Sequence, residues 1–131
     1  MKTNSNFISR PYLLLVVFYI LFLVGIVVMA SFGIQCRLFA VAANIPFGDK
    51  FGHLALMGIF SFLLNSSLYC RGISVGRINI LTGSLIAYVI VFTEELSQHW
   101  VASRNLEAYD LLFDFIGIYL FGRLAAYNQK T

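Results

Sequence analysis

Two adjacent carboxylates, Glu94 and Glu95, close a long apolar run, and Gln98 and His99 follow one turn later. A short connection then supplies Arg104 and Glu107, and a second apolar run opens with Asp110 and Asp114. Upstream, Asp49, Lys50 and His53 open another apolar run. Residues four apart share a helix face, which pairs Asp49 with His53, Glu94 with Gln98, Glu95 with His99 and Asp110 with Asp114. Glu94 and Glu95 project about 100° apart, so only one of them faces a bundle centre. Glu95 with Gln98 and His99 makes the better inward set. Carboxylates held beside an imidazole and against apolar walls suit acid and base chemistry. The same residue types at this spacing in a helix bundle can also bind a divalent metal. On the acid–base reading Glu95, Asp110 and His53 are the catalytic candidates, with His53 alternatively a metal ligand. Arg104 and Lys50 would hold an anionic group such as a lipid phosphate. Gln98 and Asp114 would orient the others, and Asp49 completes the substrate-binding set. The plainer alternative is that these charges neutralise one another and lock helices together.

The elements that must position these groups are apolar spans. The chain has 131 residues, 60% hydrophobic and 11% charged, with a mean hydropathy of +0.83. A soluble domain carries about a quarter charged residues, so this composition points to an integral membrane protein. The net charge of +3 is spread singly between apolar runs, without the cluster or stripe that nucleic-acid binding needs. Four apolar segments are expected, at about residues 11–32, 49–69, 78–100 and 107–127, each near the length of a bilayer-spanning helix. The first exceeds the usual h-region of a cleaved signal peptide, the competing reading of that segment. The expected fold is all-α: one domain, a four-helix transmembrane bundle with an up–down path and both termini on one side. A tight polar turn is expected over Cys70 to Arg77.

Charge then orients the bundle. Lys2, Arg10, Arg71, Arg77, Arg123 and Lys130 fall on one side with no acidic residue among them, which makes that side cytoplasmic, N-in and C-in. Every acidic residue and both histidines fall on the outer half. Cys36 and Cys70 fall at opposite faces and are not expected to pair. Ionisable groups in such segments are functional by default. No G-x-S-x-G nucleophile motif, P-loop, zinc ribbon or dinucleotide fingerprint is present.

These residues carry a resemblance. Asp49-Lys50 followed by His53, then Glu95-x-x-Gln98, Arg104 six residues on, and Asp110 and Asp114 leading to Gly117 and Gly122 resemble the pattern of the VanZ-like bacterial membrane proteins. It covers Asp49 to Gly122, more than half of the chain. The family often has Asn at the position of Asp114 and Pro and Gly before that of Arg104, where this chain reads HWVAS. Glu94 is an additional acid. The resemblance implies bacterial cell-envelope biology in the inner (cytoplasmic) membrane, and its founding member is associated with resistance to the antibiotic teicoplanin. The expected function is a hydrolase or transferase acting on a lipid or lipid-linked envelope substrate, opening laterally to the outer leaflet. Two alternatives stand beside it. One is a non-catalytic protein that binds or shields a precursor or a glycopeptide, for which Arg104 and Trp100 would matter most. The other is a small ion- or proton-coupled transporter, against which the chain shows no internal repeat. The expected partners are membrane lipids or a lipid-linked precursor, and a divalent metal is the one cofactor the residue types suggest.

Overall fold

The computed structural model describes residues 9–34, 37, 40–41, 44–100 and 107–131. Among them four long helices and one hairpin form the fold: α1 (Arg10–Ser31), α2 (Gly48–Ser67), β1 (Gly72–Val75), β2 (Ile78–Leu81), α3 (Thr82–Gln98) and α4 (Ala108–Asn128). The fold is all-α apart from that hairpin. In α1, Pro11 falls in the first turn, where its missing N–H leaves no bond unmade. The helix is apolar around its whole circumference, and only Val16 is buried. With a mean hydropathy of 3.1 in its most apolar window, α1 is the one described helix long and apolar enough to cross a membrane. The other three carry Asp49 and Lys50, Glu94 and Glu95, and Asp110, Asp114 and Arg123 within their apolar runs.

Hydrogen bonds between helix ends fix the path of the chain. The Ser9 N–H donates to the Ser67 carbonyl at 2.9 Å, and the Gln129 side chain donates to the Ser66 carbonyl at 3.2 Å. The Thr82 N–H donates to the Arg71 carbonyl at 2.8 Å. The start of α1, the ends of α2 and α4 and the start of α3 therefore share one end of an up–down bundle. The opposite end collects the start of α2, the end of α3 and the start of α4.

The third helix starts later than the apolar run suggests. Ile78 to Leu81 leave it and pair antiparallel with Gly72 to Val75, so Gly72 faces Leu81 and Val75 faces Ile78. Gly76, at φ +62°, takes the first corner of the two-residue turn, a position a side chain would strain. In place of a simple polar turn, the chain leaves α2 through two left-handed residues, Tyr69 (φ 53°) and Cys70 (φ 49°). The Cys70 N–H bonds back to the Asn65 carbonyl at 2.7 Å, closing the helix end. Cys70 is a free thiol, whereas Cys36 lies outside the described residues.

Packing centres on α2 against α4. Phe60, Leu64, Ala87, Val91 and Ile118 form the core, and Val16 joins it from α1. Tyr19 anchors α1 by stacking on Phe60, with centroids 6.3 Å apart, and by donating to the Leu56 carbonyl at 2.9 Å. Of the small residues along α2, Gly58 and Ser61 are buried, whereas Gly52 has open space beside it and Ala55 is exposed. A methyl group at Gly117 would overlap the backbone of Leu54, and one at Gly58 would overlap the Phe121 ring. Deeper in the bundle, Asn65 donates to the Ser61 carbonyl and to the Ser84 hydroxyl, both at 2.9 Å, and accepts from the Ser84 N–H at 3.2 Å. Ser61 donates to the Ile118 carbonyl at 2.9 Å, so one buried polar knot ties α2, α3 and α4.

Candidate functional site

The first turn of α2 begins after Phe47, whose left-handed backbone (φ 60°) turns the chain sharply into the helix. Lys50 then points into the bundle with its side chain only 11% exposed. Its ammonium donates to Asp49 Oδ2 at 2.9 Å and to Glu107 Oε2, and lies in ion contact with Asp110 Oδ1 at 2.5 Å. Asp110 Oδ1 is buried, makes no properly aligned hydrogen bond among the described residues, and lies against the Lys50 ammonium. An ammonium has three N–H donors, and three carboxylates surround this one. Lys50, expected to hold an anionic head group, is paired with these carboxylates in the structure. The oxygens of Asp49, Glu107 and Asp110 also lie close enough to hold a metal ion, within 4.8 Å of one another. What they converge on is the Lys50 ammonium.

One turn deeper, His53 lies between two carboxylates of α4. Its Nδ1 is 3.1 and 3.3 Å from the two oxygens of Asp114, and its Nε2 is 3.6 Å from Asp110 Oδ2. The Asp114 side chain is 3% exposed, so this imidazole is its route to the wetter residues above. His53 meets Asp110 and Asp114 rather than Asp49, the neighbour on its own helix, because Asp49 turns outward to Lys50.

The last turn of α3 supplies the third wall. Glu95 is 2% exposed and Gln98 is 4% exposed. Gln98 Nε2 donates to Glu95 Oε2 at 3.0 Å and to Glu94 Oε2 at 2.8 Å. The other Glu95 oxygen accepts the backbone N–H of Glu107 at 3.3 Å, where α4 begins. The inward pair Glu95 and Gln98 is therefore as the spacing led us to expect. His99 is not: it is exposed and stands edge-on to Trp100, with centroids 5.8 Å apart. Both Glu95 oxygens already accept hydrogen bonds, and α3 ends at Gln98, so nothing draws His99 inward.

Beside Glu95 a cleft of about 110 Å³ opens between α3 and α4, lined also by Phe92, Leu96, Ala108 and Leu111. The structure thus brings together Asp49, Lys50, His53, Glu95, Gln98, Asp110 and Asp114 at one end. Arg104 lies outside the described residues. Glu107, placed by the sequence among the acidic residues of this end but given no role, joins the site: its carboxylate meets Lys50 and its backbone N–H meets Glu95. The signal was its position three residues before Asp110, one helical turn away. Comparison of the chain with protein-family models, with curated proteins and with solved structures finds no match.

Proposed function

We propose that this chain is a VanZ-like membrane protein of the bacterial cell envelope, spanning the inner membrane four times, N-in and C-in. On this reading the carboxylate–histidine end faces outward. The observation that carries it is convergence. Residues of the motif from three separate segments, Asp49-Lys50 with His53, Glu95 with Gln98, and Asp110 with Asp114, form one group at one end of an apolar bundle. The multi-pass reading is supported by the large apolar side chains that α2, α3 and α4 leave exposed, among them Phe51, Ile59, Val89, Phe92, Ile116 and Leu120. Such a surface suits lipid.

The chemistry is acid–base catalysis on a lipid or lipid-linked substrate, by a hydrolase or transferase. Glu95 and Asp110 are the carboxyl groups, and His53 moves protons between Asp114 and Asp110. Lys50 holds Asp110, Asp49 and Glu107 in place instead of binding substrate. Arg104 remains the candidate for an anionic head group. Reconstituted protein incubated with an envelope lipid extract should change the head-group profile seen by mass spectrometry. Glu95→Gln and His53→Gln should each slow that change by about 10²-fold or more, the usual worth of a positioned acid or base. Equal turnover by both variants and the unmodified chain would remove the catalytic reading.

One observation favours a second reading, binding or shielding without turnover: Glu95 and Gln98 are already hydrogen-bonded to each other and to neighbours, and Lys50 is paired with Asp49, Glu107 and Asp110. In that case teicoplanin protection in a susceptible host would survive Glu95→Gln and His53→Gln but fall with Arg104→Ala and Trp100→Ala.

A further inference from the structure

The hairpin at the other end of the bundle carries a surface that the site does not use. In its antiparallel register Ile73 faces Ile80 and Val75 faces Ile78. Cross-strand partners project to the same side of a sheet, and alternate residues along a strand share it. One face of the hairpin is therefore Ile73, Val75, Ile78 and Ile80, four β-branched aliphatic side chains. The other is Gly72, Ser74, Asn79 and Leu81. On the aliphatic face Ile73 is 51% exposed, Val75 63% and Ile78 65%. A two-stranded hairpin is marginal by itself in water, and an uncovered aliphatic face makes it more so.

The charges around this face specify what covers it. Arg71 precedes β1 and Arg77 occupies the turn, both exposed. Arg10 and Lys130 lie at the same end, which the Ser9–Ser67 and Gln129–Ser66 hydrogen bonds define. All six acidic residues of the chain belong to the opposite end. A second copy docking here through the same end would bring like charges together, whereas an anionic lipid surface complements them.

We propose that this hairpin is a membrane-interface anchor. Its aliphatic face enters the acyl region of the leaflet next to the chain termini, and Arg71 and Arg77 engage the phosphates of anionic lipids. The proposal rests on the membrane reading above and adds to it a lipid-binding element at the end remote from the carboxylates.

The test uses the full chain in phosphatidylglycerol vesicles with bromine-labelled acyl chains. Trp100, the single tryptophan, is replaced by Phe. Tryptophan is then placed by Val75→Trp on the aliphatic face, by Ser74→Trp on the opposite face, or by Leu21→Trp in α1. Emission from Val75→Trp should shift to the blue and be quenched by bromine, while Ser74→Trp stays red and largely unquenched. Exchange of phosphatidylglycerol for phosphatidylcholine should weaken quenching at Val75→Trp and leave Leu21→Trp unchanged. Equal quenching in the two lipids would overturn the choice of an anionic partner. A water-like, unquenched Val75→Trp beside a quenched Leu21→Trp would overturn the anchor and leave the membrane reading standing. Loss of quenching at both positions would remove the membrane reading itself. Quenching of Val75→Trp only by a nitroxide on another copy would make the face a contact between copies and overturn the proposal.

Discussion

At the scale of single residues the candidate site divides into a clamp and a histidine set between carboxylates. Lys50 is the clamp. Three carboxylates from two segments repel one another unless a cation lies between them, and its ammonium does so. Removing one partner of a buried ion pair leaves an uncompensated charge, which costs about 3–5 kcal/mol. Lys50→Met should therefore lower the stability of the purified protein in detergent by about that amount, as read by denaturant titration. The double variant Lys50→Met/Asp110→Asn should lose less than the sum of its singles, since the two side chains are in contact. Additive losses would show that the contact has no energetic weight. The second part is His53 between Asp110 and Asp114, with Glu95 and Gln98 across from it. Most of these residues were legible in the sequence, because ionisable groups at four-residue spacing inside apolar runs are too costly to sit there without a role. The ion pairs of Lys50 were not. A lone lysine reads as an anion-binding group until the geometry shows which carboxylates reach it first. His99 misled for a related reason: it shares a face with Glu95 by spacing, yet it caps a helix end where spacing no longer decides orientation.

At the scale of elements, close approach of α2 and α4 makes the site possible. Gly117 lies less than one turn beyond Asp114 and faces the Leu54 backbone, next in the chain to His53. Gly117→Ala should force the two helices apart, at a cost of about 1–3 kcal/mol for overpacking. It should also weaken the His53–Asp114 contact although neither residue is changed. Chemical-shift measurement of the His53 ring in Gly117→Ala and the unmodified protein checks this, and an unchanged ring environment would contradict it. The four helical segments were readable from apolar runs and their punctuation. Two features were not. The polar knot of Ser61, Asn65 and Ser84 depends on the register between helices, which no single segment encodes. The hairpin was hidden because Ile78, Ile80 and Leu81 merge with the apolar run of α3, and an alternation only four residues long is a weak signal. In retrospect Ser74-Val75-Gly76-Arg77-Ile78, a glycine at the first corner between β-branched residues, was the available clue.

At the scale of the whole molecule the chain is polar in its charge distribution: carboxylates gather at one end, and arginines and a lysine at the other. The composition led to the expectation of a membrane protein, and among the described helices α1 alone is long and apolar enough to cross a membrane. It contributes none of the candidate site residues, whereas α2, α3 and α4 carry charged groups within their apolar runs. The account therefore turns on whether α4 crosses the bilayer with Asp110 at the outer side. Burial pushes the Cys70 thiol up and makes it a poor reporter, so both native cysteines are replaced by serine. Single cysteines are then introduced by Tyr109→Cys, beside Asp110 and 70% exposed in the native side chain, and by Lys130→Cys at the far end. Intact cells expressing each variant are treated with a membrane-impermeant maleimide. The account predicts that Tyr109→Cys is labelled from outside and Lys130→Cys only after the cells are permeabilised. Labelling of Lys130→Cys in intact cells with Tyr109→Cys protected, or identical behaviour of the two, would contradict it.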